Sequence, residues 1–259
     1  MFVFLSFFYG AAIGSFVNVV ATRLRVAPVL NARSKCLTCG TTLRVRDLVP
    51  VLSYVFLFGK CRTCKTPYGI SNLIVEIVFG GIFVLLYVLF LSGQLTLFAS
   101  VAWLVYYTLL AIVLGVITLY DIKHSYLPTG FLFAFLLLSF GMLARSVMLG
   151  AGYSALLGPV LVALPFLLLW LISRGRWLGG GDVLMFLGVG AFFGVAQGLA
   201  VFFVSVWIGL VMSIVSASLM KKKLVTRGPI PFVPFIVLAF MVVLFTDIDI
   251  FSIVSLFAW

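Results

Sequence analysis

The sequence predicts an all-α integral membrane protein with about eight transmembrane helices and one small cytoplasmic insert. Of its 259 residues, 64% are hydrophobic and only 9% are charged, and the mean hydropathy is +1.34. The apolar residues form long unbroken runs of the ~20 residues that cross a bilayer as a helix. A β-barrel would instead show short segments of alternating hydrophobicity. The basic residues lie between the apolar runs, as in a protein whose loops leave the membrane.

Eight apolar segments predict the spans, with each boundary defined to within ~2–4 residues. They cover residues 2–22, 72–92, 96–120, 130–149, 155–173, 183–197, 199–220 and 231–250. The sixth segment is short and glycine-rich, and its turn into the seventh falls in the sequence GVAQG. We therefore expect a first transmembrane helix over residues 1–22, a cysteine-rich cytoplasmic insert over 23–70 and a membrane-embedded core over 71–259.

The basic residues predict how the chain is oriented, because cytoplasmic loops collect Lys and Arg. With the N-terminus outside, sixteen of the seventeen basic residues fall in cytoplasmic segments, and only Arg145 does not. No basic residue precedes the first apolar run, so this run is interpreted as a helix and not as a signal peptide. The net charge of +11 then reflects topology, and we expect no nucleic-acid partner.

Three of the six carboxylates, Glu76, Asp121 and Asp182, lie at or inside predicted spans, where a charge is costly and usually marks function or buried pairing. Asp121 ends the third span and Asp182 begins the sixth, both near the cytoplasmic edge. Two close carboxylates in a low dielectric share a proton, so one can take a proton from water while the other donates to a carbonyl oxygen. This division of roles can hydrolyse a peptide, and the glycines before Asp182 would let a substrate backbone approach and allow a turn.

Other interpretations of these residues remain open. Asp182 could cap its helix, and Asp121 could be a solvated loop residue beside Lys123. The pair could also serve as the proton relay of a membrane transporter. Hydrolysis by a Ser–His pair or by an H-E-x-x-H zinc site is disfavoured, because the single histidine, His124, is expected in an exposed loop and neither pattern occurs.

All the cysteines of the chain lie in the insert as two C-x2-C pairs separated by twenty-one residues: Cys36, Cys39, Cys61 and Cys64. This pattern predicts one structural Zn2+ held by four thiolates, and a metal would hold together an insert too small for a core of its own. A redox-active pair or an iron–sulfur cluster are the alternatives. A chain that only anchors such a zinc module and binds partners is a further function class.

Together these motifs resemble the type IV prepilin peptidases, a family of GxGD intramembrane aspartyl proteases, over nearly the whole chain. The first helix resembles the family's N-terminal signature through GSFVN, the insert resembles its cysteine segment, and YDIKHSYLP resembles its first aspartate motif. The residues 179–182 match GxGD, and IPFVPF at 230–235 is similar to its C-terminal proline motif.

The resemblance implies that Asp121 and Asp182 are the catalytic pair, with Gly179 and Gly181 in support. The substrates would be type IV prepilins or pseudopilins, cut after the leader's glycine at the cytoplasmic face of the bacterial inner membrane. It also implies N-methylation of the new terminus with S-adenosylmethionine, an activity associated with the cysteine segment and Glu76. The sequence contains no separate motif for that cofactor.

Two positions depart from the family pattern. Leu184 stands where the family often has Lys, and Thr129 stands where it often has Asp or Asn. Neither change removes a catalytic carboxylate, but either could alter the local charge or the substrate preference. A basic leader should not be attracted by the positive insert, so we assign the insert's charge to topology and to anionic lipid of the bilayer.

Overall fold

The computed structural model is all-helical, as the sequence predicts, and it describes residues 1–24, 34–36, 38–91, 97–176, 178–220 and 231–255. These residues form two compact units, Met1–Val116 and Ile117–Trp259, and the boundary falls inside one helix. Six of the basic residues that the sequence assigns to cytoplasmic segments, and Ile230 of the proline motif, lie outside the described residues. Those basic residues are Arg25, Arg33, Lys221, Lys222, Lys223 and Arg227.

The first unit is built on two helices whose backbones nearly touch. These are α1 (Phe2–Arg23) and α3 (Ser71–Leu86), the latter continuing as a π-helical turn. A Cβ added at Gly10 would lie 2.5 Å from the carbonyl oxygen of Phe79, and one at Gly14 would lie 2.9 Å from that of Val75. The two glycines are four residues apart, which is the spacing that lets membrane helices pack closely.

Along the chain, the insert lies between α1 and α3. It contains a single turn of 3₁₀-helix (Val45–Asp47) and the short helix α2 (Leu52–Phe56). Helix α4 (Leu97–His124) follows α3 and runs from the first unit into the second. In the first unit, the hydroxyl of Thr108 on α4 lies 3.1 Å from that of Tyr9 on α1.

The second unit contains the end of α4 and five further described helices. One of the five, α7, contacts each of the other four. The five helices are α5 (Thr129–Met148), α6 (Leu157–Ser173), α7 (Gly180–Met220), α8 (Val233–Thr246) and α9 (Ile250–Ser255). Aromatic side chains fill its core, with the rings of Phe166 and Phe186 stacked at a centroid distance of 3.7 Å.

Helix α7 is in fact a hairpin of two helical arms that reverses at Gly194. This residue has φ 77° and ψ −165°, which interrupts the helix. A Cβ added at Gly198 would lie 3.5 Å from the Cα of Gly190, a separation that eight residues of straight helix, about 12 Å long, cannot give. Because Gly194 is the first residue of GVAQG, the predicted turn between the sixth and seventh spans is confirmed.

A described helix, or one arm of α7, overlaps every predicted span. By length and composition, five of the described helices are long and apolar enough to cross a membrane, and two more are apolar but shorter. The two shorter ones are α6 and α8. Many apolar side chains on these helices are exposed, including Leu137 and Ile172, as expected of surfaces that face lipid.

Candidate active site and metal centre

Asp121 is a buried carboxylate inside α4 and is only 5% exposed. The alternative that it is a solvated loop residue is therefore wrong, because α4 continues for three residues beyond it. The backbone N–H of Val233 donates to Asp121 Oδ2 at 3.3 Å. Val233 is the first residue of α8, and the first N–H groups of a helix have no partner within it. Asp121 thus supplies an acceptor to the N-terminus of α8.

Asp182 lies in the first turn of α7 and is half-buried. Its Oδ2 accepts a hydrogen bond of 3.2 Å from the backbone N–H of Gly179, the residue directly before the helix. A carboxylate at the third helical position that reaches back in this way forms half of a capping box. The capping interpretation of Asp182 therefore describes a real contact, and it does not exclude a chemical role.

The two aspartates lie in the same unit, Ile117–Trp259, although 60 residues separate them along the chain. Gly181, beside Asp182, packs on Leu127 in the turn that follows Asp121 and the end of α4. Each aspartate also lies at the N-terminus of a helix, α8 for Asp121 and α7 for Asp182. The positive ends of two helix dipoles therefore face this pair of carboxylates.

The glycines before Asp182 are packed against large side chains. A Cβ at Gly181 would lie 2.3 Å from Leu127 Cδ1, so a larger residue at 181 would require the Leu127 side chain to move. A Cβ at Gly180 would lie 3.6 Å from Trp170 Nε1. Arg174 and Gly175, which both have positive φ, end α6, and the segment in which we expected a turn before α7 includes residue 177, which lies outside the described residues.

The turn between α4 and α5 is held by aromatic residues next to Asp121. The hydroxyls of Tyr120 and Tyr126 are 2.6 Å apart, and the ring of His124 stacks on that of Tyr120 at 4.2 Å. His124 is exposed, as predicted, but it is the last residue of α4 and not a loop residue. Thr129 is the exposed first residue of α5, and Leu184 is half-buried near the start of α7.

The four cysteines Cys36, Cys39, Cys61 and Cys64 come together in the insert as the spacing predicts, with all their sulfur atoms within 4.8 Å of one another. Four sulfurs around one zinc ion at about 2.3 Å would be about 3.8 Å apart. The Sγ atoms of Cys36 and Cys64 are 3.7 Å apart, and all four cysteines are free. The cluster therefore fits a tetrahedral metal ion.

Both cysteine pairs have the same local fold. The N–H of Cys36 donates to Thr41 O, and that of Cys61 donates to Thr66 O. The hydrogen bonds from the backbone N–H groups of Cys64 and Thr63 lower the pKa of the Cys61 thiol to about 6, which favours the thiolate that a metal requires.

The hydroxyl of Tyr68 is buried and makes no hydrogen bond of ordinary geometry. It is directed toward the Cys61 thiol. A donor in this position suits a metal-bound thiolate, because it would orient the ligand from outside the coordination shell.

Glu76 lies on α3 and contacts the insert. Its Oε2 accepts a hydrogen bond of 2.7 Å from the N–H of Val51. Val51 has φ 61° and ψ −52°, and the N–H of Leu52 donates to Pro50 O, so these residues form a γ-turn of the rare, strained kind. Glu76 thus fixes a strained turn at the start of α2.

An open cavity of about 150 Å³ lies beside Cys61 and is lined by Arg44, Arg46 and Arg62 among other residues. Small-molecule sites usually measure ~300–1,000 Å³, so this cavity does not fit S-adenosylmethionine. Its single carboxylate, Asp47, is paired with Arg62 at 2.7 Å. Burial opposes ionisation of Asp47, but the hydrogen bond and charge of Arg62 hold its pKa below the usual range.

Sequence reasoning missed three contributors to this site: the N–H of Val233, the side chain of Leu127 and the indole of Trp170. The proline motif was a usable signal for the first, because Pro234 follows Val233 and proline is typical of a helix start. Leu127 belongs to the first aspartate motif, but nothing in the sequence indicates that it packs on Gly181.

The helices define a multi-pass membrane protein, and its small insert contains a four-cysteine cluster whose geometry fits a metal ion. Residues 8–90 match the bacterial peptidase A24 N-terminal domain, and residues 108–214 match the type IV leader peptidase family. A prepilin leader peptidase/N-methyltransferase of Bacillus subtilis is 32% identical over 230 residues, which is 88% of each chain. The chain therefore belongs to the type IV leader peptidase family, peptidase A24, and is an enzyme of that family.

Two further relatives carry the same name. The one from Burkholderia pseudomallei is 28% identical over 88% of this chain and 80% of its own, and the one from Vibrio cholerae is 28% identical over 71% and 74%. No solved structure matches the chain.

Proposed function

We propose that Asp121 and Asp182 are the catalytic pair of a membrane-embedded aspartic endopeptidase. The observation that carries this proposal is the setting of the two carboxylates within one unit: each accepts a backbone N–H at the start of a helix, and Gly181, beside Asp182, packs on Leu127 in the turn that follows α4. Two such groups share one proton in surroundings of low dielectric. The ionised carboxylate takes a proton from the attacking water, and the protonated one donates to the carbonyl oxygen of the scissile bond.

The proposed substrates are type IV prepilins or pseudopilins, cut after the glycine that ends the leader. The names of the relatives and the match to the leader peptidase family support this substrate class. The distribution of the basic residues supports an orientation with the N-terminus outside and both aspartates near the cytoplasmic edge of the inner membrane. A leader that stays in the cytoplasm would meet the pair at that depth.

Methyl transfer to the new N-terminus is the second proposed activity, with S-adenosylmethionine as the donor. It rests on the names of the relatives and on the presence of the insert. In the proposal, Cys36, Cys39, Cys61 and Cys64 hold one structural zinc ion that maintains the fold of the insert. No residue is assigned to the methyl donor, because the cavity beside Cys61 does not fit it.

The deciding experiment is a cleavage assay in detergent with a purified prepilin, read by mass spectrometry. Wild-type protein should release the leader, whereas Asp121→Asn and Asp182→Asn should each lose cleavage while remaining helical by circular dichroism. An added methyl mass on the product would report the second activity. Full cleavage by either variant would exclude the aspartate pair as the catalytic centre.

A further inference from the structure

In the part of the insert that the structure describes, the short helix α2 exposes an apolar face. Leu52, Val55 and Phe56 stand at positions i, i+3 and i+4 of α2, which lie on one side of a helix. Phe56 is 76% exposed and Val55 is 58% exposed. Phe58, two residues further on, is 86% exposed and has φ 50°. We call Leu52, Val55, Phe56 and Phe58 the apolar face of the insert.

The contact between Glu76 and Val51 fixes the position of this face along α3. Glu76 is the sixth residue of α3, about 7–8 Å along the helix axis from its start. The 19 residues Ser71–Leu89 are long and apolar enough to form a span, which gives a length of about 28 Å, close to the hydrocarbon thickness of a bilayer. Val51 directly precedes α2 and contacts Glu76. It therefore lies beside α3 at a point inside the span Ser71–Leu89, and not beyond its end.

The charges around the face complement an anionic surface. The described part of the insert, residues 34–36 and 38–70, carries six basic side chains and one acidic one, a formal net charge of +5. The acidic one, Asp47, is already neutralised by Arg62. Arg44 and Arg46 flank Val45, which is 85% exposed. Apolar side chains interleaved with basic ones are typical of segments that lie in the interface of a membrane.

We propose that the insert docks on the lipid bilayer, with the apolar face among the acyl chains of anionic lipids and the neighbouring arginines at their phosphates. The contact would hold the insert flat against the membrane beside α3. It does not depend on the aspartates being catalytic, since every contact used belongs to the first unit. A hydrophobic helix of a substrate is the competing occupant, and the experiment distinguishes the two.

The test is photo-crosslinking in the full-length protein, reconstituted in nanodiscs that contain phosphatidylglycerol. p-Benzoylphenylalanine replaces Phe58, which is a conservative change of an exposed aromatic ring. The matched control carries the same probe at Thr38, an exposed position in the first cysteine pair. Zinc content, measured on both variants, verifies that the insert is folded.

The proposal predicts a phosphatidylglycerol adduct on the peptide that contains position 58, its absence at position 38, and a lower yield when phosphatidylcholine replaces the anionic lipid. An adduct to a prepilin, formed only when that substrate is present and without lipid adducts, would replace the bilayer by the substrate helix. Absence of any adduct at position 58 would show that the face is in water and would overturn the proposal.

Discussion

Asp182 combines a structural contact with the proposed chemistry, and two substitutions should separate them. Asp182→Asn keeps an oxygen that accepts the N–H of Gly179, so we expect wild-type thermal stability without cleavage. Asp182→Ala removes the acceptor as well and should also lower stability by about 1 kcal/mol, the usual cost of losing a helix cap. Thermal unfolding in detergent, measured beside the cleavage assay, checks both values. Equal loss of stability in the two variants would mean that the charge itself holds the helix start.

Two substitutions at Glu76 should likewise separate a structural contact from a role in the proposed methyl transfer. Its contact with Val51 uses one carboxylate oxygen, and the amide oxygen of Glu76→Gln can accept the same hydrogen bond. We therefore expect Glu76→Gln to retain the insert's fold and its methylation. Glu76→Ala leaves the strained turn at Val51 unsupported, and a lost hydrogen bond to a charged group, worth ~1.5–3 kcal/mol, should speed metal release to a chelator about tenfold or more.

The contrary result would be informative for Glu76. If Glu76→Gln loses methylation while releasing its metal at the wild-type rate, the carboxylate acts chemically and not as an anchor of the insert. Metal release followed with a chromogenic chelator, together with the methyl mass of the product, provides both readings on one sample.

At the scale of elements, the packing of α6 on α7 depends on two glycines that face each other. A Cβ added at Gly190 would lie 2.3 Å from the carbonyl oxygen of Gly158, and backbone atoms cannot move aside as a flexible side chain can. We expect Gly190→Ala to separate the helices and to destabilise the protein by about 1–3 kcal/mol. A lower midpoint of thermal unfolding in detergent would report this.

Gly141→Ala is the matched control for that substitution. Gly141 lies inside α5 with nothing within 4 Å of an added Cβ, and alanine favours a helix over glycine by about 1 kcal/mol. Its unfolding midpoint should therefore stay the same or rise. Similar losses in the two variants would show that the close approach of α6 and α7 does not limit stability.

The elements also show what a single sequence can and cannot predict. Runs of apolar residues identify the helices, since each is set by local composition, and Gly194 marks the reversal in α7 because glycine tolerates its φ of 77°. The contact between Asp121 and Val233 joins residues 112 positions apart. Such pairings depend on how whole helices pack, and hydrophobic periodicity contains no information about them.

For the whole molecule, the division into two units predicts how loss of the proposed zinc ion should affect the two proposed activities. The contacts described for the aspartates come from Gly179 and Val233, and Leu127 packs on the neighbouring Gly181; all three residues lie within Ile117–Trp259, whereas the cysteines lie within Met1–Val116. A double variant, Cys36→Ser with Cys61→Ser, removes two of four ligands and should bind no zinc, because a structural site needs all four.

We expect this double variant to retain leader cleavage within a few-fold of wild type and to lose methylation. Only the insert depends on the proposed zinc ion for its fold. Treating wild-type protein with a chelator should give the same pattern, and adding zinc back should restore methylation. Metal content and product mass measured on the same samples check the prediction. If the double variant instead loses cleavage as completely as Asp182→Asn, then the insert takes part in positioning the substrate, and the two units act as one enzyme for both reactions.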